Sequence, residues 1–498
     1  MSSPVESALT ERRLHPLSWL FTLIGQLKQF ALPLVFVVIT GRRANADFYS
    51  LIGVGVLVAY SVAQYFTYRY RIETDGVVVR SGLFQRSLRH VPFARIQNVT
   101  VHQNVLHRIF GVAEVKLESA AGGPRPEAQM RVLRLDAAHE LERLVRQRVV
   151  PAGDSATTEA TDAAPPLLAL STGEVIRLGL INNRGMLVVG GLFAFMAQAG
   201  DNLLGKFFTS FGHWLSGQAG AMHLTALGML GASAILIALM LIALRVLSVS
   251  LALLHFHGFT LREDNGRLSV ERGLLTRTRG SVPRQRIQAF SLTEGLLHRW
   301  FGRRSLRVDT AVMEAVNDKA VLGELAPIAS PARIDALVDH LLRSPSAPAN
   351  ERPRWPIETW QPLHPRAWRR KFSLPALLVF AATIVVSWLQ GPWGLLLLAL
   401  VPLLALRATW WARHSAYSVA QDLIAFRSGW LDRQWRFAEC QKLQAVEWVQ
   451  SPFDRRHGMA TLRFDTAGAS PMASALAIPY LPEADARAIY EQLAAKLR

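Results

Sequence analysis

The sequence predicts a multi-domain α+β membrane protein, with six transmembrane helices in three hairpins and one small soluble module after each hairpin. Three observations carry this. One block recurs three times without gaps, apolar stretches come in pairs before each copy, and arginine is concentrated outside the pairs. The spacing between copies is far wider than in a solenoid, so each copy marks a small domain.

The block is residues 81–119, 272–310 and 428–466, in register over about 39 positions. Glycine stands at Gly82, Gly273 and Gly429, and again at Gly111, Gly302 and Gly458. A basic residue stands at Arg86, Arg277 and Arg433, and an arginine at Arg108, Arg299 and Arg455. Between them lies a basic–aliphatic–Gln triplet: Arg95-Ile96-Gln97, Arg286-Ile287-Gln288 and Lys442-Leu443-Gln444.

With 498 residues, 50% hydrophobic and 18% charged, the chain has the balance of a membrane protein with substantial soluble parts. A net charge of +18 suits domains lying against anionic lipid. Nucleic acid would also attract that charge, but no recognition motif accompanies it, so no nucleic-acid partner is expected. The single cysteine, Cys440, excludes an intrachain disulfide and reads as a small apolar filler. No cleavable leader is recognisable, and the N-terminus reads as retained.

In chain order, residues 1–67 are a polar leader and the first hairpin. Its first span, in the apolar region up to Thr40, either starts near Trp19 with Lys28 snorkelling or is a tilted span entered from an interfacial helix; its second is 48–66, ending in the aromatic cluster Tyr65, Phe66, Tyr68 and Tyr70. Residues 68–149 are the first module: a hairpin turning at Asp75-Gly76, strands near 88–91, 96–101 and 112–118, a short helix at 104–110, and a closing helix carrying Leu141, Leu144 and Val145. Residues 150–184 hold a linker without basic or large apolar residues up to Pro166, then an entry segment. The second hairpin is 185–256 and the second module 257–343, whose last helix aligns Ile334, Leu337, Val338 and Leu341. A Pro-rich linker, 344–373, repeats the Leu14-His15-Pro16 triplet at Leu363-His364-Pro365. The third hairpin, 374–411, turns at Gln390-Gly391-Pro392, and the third module is 412–498.

Arginines cluster outside the hairpins, at Arg69, Arg71, Arg262, Arg267, Arg366, Arg369 and Arg370. The positive-inside rule therefore predicts that all modules and both termini face the cytoplasm. The Arg42-Arg43 pair inside the first hairpin runs the other way and is outweighed.

The G-x-x-x-R, basic-Ile-Gln and R-x-x-G series resembles the bacterial pleckstrin-homology (PH) domain family, and the threefold hairpin-plus-module order resembles its polytopic membrane branch. The resemblance implies that each module is PH-like, a bent antiparallel β-barrel closed by a C-terminal helix. The third copy departs most, with Lys442-Leu443 for Arg-Ile and Arg456-His457 before its glycine. The family implies no catalytic residue.

No nucleotide, zinc-protease or hydrolase signature occurs. The histidines are scattered, so no enzyme activity, catalytic residue, metal or cofactor is expected. The basic series remains. Residues 68–149 carry 14 Lys and Arg against 8 Asp and Glu. Arg86, Arg89, Arg277, Arg279 and Arg433 suit phosphate recognition, because a guanidinium offers a planar fork of donors. Arg95, Arg286 and Lys442 either join them or fix the strand that follows. All could instead be solvated or paired with module carboxylates. The expected function is a non-enzymatic membrane-surface platform binding anionic lipid headgroups, or a membrane or cytoplasmic protein partner, in an oligomeric state the sequence leaves open. A six-span transporter or lipid-handling channel with regulatory modules is the alternative. Against it, Lys28, His223, Arg245 and Arg407 have no carboxylate within the spans to pair with.

Overall fold

The structure is a computed structural model describing residues 12–26, 46–73, 75–82, 86–93, 96–119, 128–138, 140–141, 165–198, 205–206, 209–214, 217, 226–264, 266–310, 323–343, 353–420, 422–466 and 476–496. The chain divides into two compact units. One is Met1–Ser119, Pro126–Thr260 and Val270–Ser281; the other is Ala120–Arg125, Leu261–Ser269 and Val282–Arg498.

One element order is used three times. The first copy runs β1 (Arg12–Arg13), α1 (Ala46–Thr67), β2 (Arg69–Ile72), β3 (Gly76–Ser81), β4 (Ser87–Pro92), β5 (Ile96–Gln103), α2 (Val105–Ile109), β6 (Val112–Ser119) and β7 (Ala128–Arg134). The second runs β8 (Leu168–Ala169), α3 (Thr172–Ile181), α4 (Arg184–Gln198), α5 (Ala226–Phe256), β9 (Thr260–Asp264), β10 (Arg267–Arg272), β11 (Arg277–Pro283), β12 (Ile287–Glu294), α6 (Leu296–Trp300), β13 (Arg304–Thr310), β14 (Ala326–Ala329) and α7 (Pro331–Leu342). The third runs β15 (Gln361–Pro362), α8 (Ala367–Gln390), α9 (Leu400–His414), β16 (Ala416–Ala420), β17 (Leu423–Ser428), β18 (Arg433–Glu439), β19 (Leu443–Val449), α10 (Pro452–His457), β20 (Met459–Thr466), β21 (Leu476–Pro482) and α11 (Glu483–Lys496).

The polar leader contributes more than the sequence suggests. Arg12 and Arg13 pair with Tyr70 and Arg69, so β1 extends the sheet of the module that follows α1. In the third copy Gln361 and Pro362 pair with Tyr417 and Ala416 in the same way. The Leu-His-Pro triplet locks this entry. Leu14 and Leu363 are buried, and the backbone N–H groups of Leu17 and Arg366 donate to Nδ1 of His15 and His364.

Each module opens with antiparallel strands joined by tight turns. Gly273 (φ 111°) and Gly429 (φ 92°) sit where a Cβ would lie 1.9 Å and 1.8 Å from the carbonyl oxygens of Thr276 and Asp432. That geometry requires glycine and explains its recurrence. In the first module, Val77, Val79, Val91, Val99, Val115 and Leu117 from both sheets pack with Met130, Leu133, Ala138 and Leu141 around one core. The expected closing helix is helical at 135–138 and 140–141; Leu144, Val145 and the linker up to residue 164 lie outside the described residues. The third core is equivalent, with Ile424, Ala438, Leu462, Phe464 and Ile478 under Ile489 and Leu493 of α11.

The expected barrels are not continuous ladders. In the first module one sheet ends at β4, and β5 begins another, pairing with β11 of the second copy. In the third, β18 pairs with β12 of the second copy, while β19 begins a separate three-stranded sheet. The second sheets of the first two modules therefore find their extra edge in the next module. The reason lies in hydrogen bonding: an open edge carries unpaired N–H and C=O groups, and an adjoining repeat offers a matching row.

Among the described residues, two helical stretches are long and apolar enough to cross a membrane, Leu230–Phe256 and Ala367–His414. A third exists if α3 and α4, bent by 47°, count as one. The second stretch is no straight rod: Gly391 has φ 75°, and Gly394 comes against Ser387, so the chain reverses at the expected turn. Residues 27–45, with Lys28 and most of the expected first span, lie outside the described residues, as does His223; α1 covers the expected second span. In the second hairpin, Gly179 lies against Val249 and the Gly185 N–H donates to Ser248 Oγ at 2.9 Å. Arg245 donates to Leu180 O and Asn183 Oδ1, each at 3.0 Å, which answers its charge with oxygen ligands instead of a carboxylate.

Candidate anion-binding pockets

Repeat-equivalent positions build two basic pockets. In the first module, Arg69 and Arg71 of β2, Arg80 of β3 and Arg86 line a groove of about 420 Å³, with Tyr70, Val78, Ser87 and Leu88. Alternation along β2 puts Arg69 and Arg71 on one face, and the antiparallel register sets Arg80 opposite Arg69. In the third module, Arg427 and Arg433 line a pocket of about 180 Å³ with Arg413, His414, Ser428, Gly429 and Trp435. In the repeat register Arg427 matches Arg80, Arg433 matches Arg86 and Trp435 matches Leu88. Each pocket lies beside the end of a helix: Arg69 follows α1, and Arg413 and His414 close α9.

The third pocket is electrostatically tense. Burial pushes the Arg427 guanidinium down from its ordinary value, and the like charge of Arg433 adds to the shift. The Arg427 guanidinium lies 4.9 Å from the Trp360 ring centroid, while Arg433 has a distant carboxylate, Glu294, at 4.0 Å. An anion between two such cations relieves their repulsion.

The second module differs by one residue. Glu271 occupies the position of Arg80 and Arg427, and it forms an ion pair with Arg277, the counterpart of Arg86 and Arg433. The next residue, Arg272, is turned inward, 1% exposed, with its guanidinium 5.0 Å from the Phe256 ring. The second copy thus pairs internally the arginine that the other two copies set in a pocket.

The sequence-predicted residues separate accordingly. Arg86 and Arg433 come to pockets. Arg89 lies exposed on β4, Arg277 is engaged by Glu271, and Arg279 sits half-buried on β11 opposite Val101. Arg286 is half-buried in the 3-10 turn Arg284–Arg286, and Lys442 donates to Gln285 O at 2.8 Å, a tie between the second and third copies. Arg95 lies outside the described residues. Arg69, Arg71, Arg80, Arg413 and Arg427 were missed. Arg80 and Arg427 stand one residue ahead of the recurrent block, and extending it by one position would have exposed both them and the Glu271 exception.

Several other polar groups among the described residues have structural partners. Arg284 caps the end of α7, donating to Leu341 O at 3.0 Å and His340 O at 2.6 Å. Glu73, Asp75 and His90 come within ligand distance of one another at a hairpin edge, where Arg71 also binds Glu73. Burial pushes the Cys440 thiol up to about 11, which leaves it unreactive.

The architecture defines a membrane protein that carries three copies of one α+β module on apolar helices. The family model described as Bacterial PH domain matches residues 20–149, 218–343 and 372–497, and the chain belongs to that family. It is also 22% identical over 481 residues to the transmembrane protein YdbT of Bacillus subtilis (strain 168), covering 93% of this chain and 94% of that one. No solved structure matches.

Proposed function

We propose that the chain is a six-span, non-enzymatic protein of the bacterial plasma membrane, whose three PH-like modules face the cytoplasm and form a binding and assembly platform at the membrane surface. In this reading the first and third modules bind anionic lipid headgroups and the second does not. The observation that carries the reading is the recurrence of paired arginines, Arg80 with Arg86 and Arg427 with Arg433, beside helix ends, against the single Glu271 exception. A guanidinium pair matches a phosphodiester in geometry and charge, and a tethering helix keeps the headgroup layer within reach. The test is calorimetric titration of purified full-length protein with short-chain phosphatidylglycerol and phosphatidylcholine. Saturable binding of the anionic lipid, weakened by salt and by Arg86→Gln with Arg433→Gln, supports the reading. Equal binding of both lipids, or a double variant that binds like the parent, refutes it.

A further inference from the structure

The two junctions between copies share one register. Arg277 lies opposite Gln103 where β11 meets β5, and Arg433 lies opposite Glu294 where β18 meets β12. In the repeat these are the same two positions, for Arg86, Arg277 and Arg433 align, as do Gln103, Glu294 and Gln450. Side-chain ties recur with them. Arg108 donates to Leu274 O at 3.1 Å at the first junction, and its equivalent Arg299 donates to Trp430 O at 3.1 Å at the second. Three modules joined in series leave two ends. Among the described residues, β4 closes the first sheet and β19 opens the last, and each has a strand on one side alone.

These ends are the missing halves of a third such junction, and we propose that a second copy of this chain supplies it, its β4 adding to β19 of the first in the register used internally. That register sets Arg86 opposite Gln450, Leu88 opposite Trp448 and Arg89 opposite Glu447. The pairings make chemical sense. Leu88 is an aliphatic side chain left 72% exposed, and its place opposite Trp448 mirrors Leu292 opposite Trp435. Arg89 is the counterpart of Arg436, which binds Asp309 of the neighbouring module at 2.6 Å. The counterpart of Asp309 is Asp465, exposed on β20 beside β19, so Arg89 of one copy meets Asp465 and Glu447 of the next. Arg455, third in the series of Arg108 and Arg299, is exposed at the same end.

The interface is head-to-tail, so it propagates into a ring or a filament instead of stopping at a two-fold dimer. It is independent of headgroup binding: Arg433 and Trp435 line a pocket while their strand is paired at the second junction.

The test uses full-length chains in membranes, with Cys440→Ala leaving only introduced thiols. One chain carries Ser87→Cys and another, differently tagged, Val449→Cys, positions directly opposite in the proposed register. Oxidation gives a cross-linked pair of unlike chains, and Ser87→Cys with Ala445→Cys, four residues out of register, does not cross-link. Arg89→Glu weakens association by up to about fivefold, and mixing it with Asp465→Arg restores it. A protein that is monomeric by mass photometry with no cross-link overturns the proposal. So does a doubly substituted chain that cross-links only to itself, since its edges then meet within one molecule.

Discussion

Glu271 offers the sharpest test of the pocket reading, because the expected result is a gain. Glu271→Arg converts the second copy to the arrangement of the other two, setting a second guanidinium beside Arg277 in place of an ion pair. The side chains of Glu271 and Arg277 are 30% and 59% exposed, so the pair itself contributes little to stability, about 0–1 kcal/mol. The local charge changes from zero to +2. At about 1 kcal/mol for each basic residue near an anionic surface, headgroup binding there strengthens by about 2 kcal/mol, roughly 30-fold. Titration with short-chain phosphatidylglycerol then shows one more site per chain than the parent. The added site weakens as salt rises from roughly 0.1 M to 1 M, as screening demands. A variant that melts like the parent, keeps its original sites and gains none refutes the argument that Glu271 silences the second module.

Other outcomes follow from the same geometry. Arg427→Gln with Arg433→Gln removes the third module's site and leaves that of the first, seen as a lower stoichiometry with unchanged residual affinity. Phe437 is fully buried and stacks between Phe290 and Trp355 at 5.1 Å and 4.4 Å, so Phe437→Ala destabilises the protein by about 3–5 kcal/mol in denaturant or thermal melts. Gly429→Ala places a Cβ 1.8 Å from the Asp432 carbonyl oxygen at φ 92° and lowers the melting temperature, whereas an alanine in place of Ser87 does not. Burial alone would push the Asp454 carboxyl up, but hydrogen bonds from Ser451 and Arg370 outweigh it and hold the group below its ordinary value. Its contribution is therefore present above the unfolded value near about 4 and lost as pH falls through the lower folded value. Melting curves of Asp454→Asn lose that acid-side slope.

The pattern of the chain was legible to the extent that it depends on local rules. Alternation in 69–73 and the Asp75-Gly76 turn give β2 and β3, and the recurrent glycines mark backbone positions with positive φ. Gly111 after α2 and the apolar runs that form Leu230–Phe256 and Ala367–His414 were equally readable, since a turn or an apolar helix is encoded in consecutive residues. The recurrent series points equally to Arg433, which lines a pocket, and to Arg277, which is ion-paired, because Glu271 lies one residue outside the aligned block.

The sequence by itself determined that one module is used three times, which stretches are apolar, and which residue types could meet phosphate. Tertiary structure alone decided that Arg12–Arg13 and Gln361–Pro362, which precede α1 and α8, edge the sheets that follow those helices, and that β5 and β12 pair with strands of the next copy. The physical reason is that strand edges are chemically uniform. Every backbone presents the same donors and acceptors, so partner choice rests on the side chains a distant segment brings alongside. No local pattern announces that Arg436 will meet Asp309.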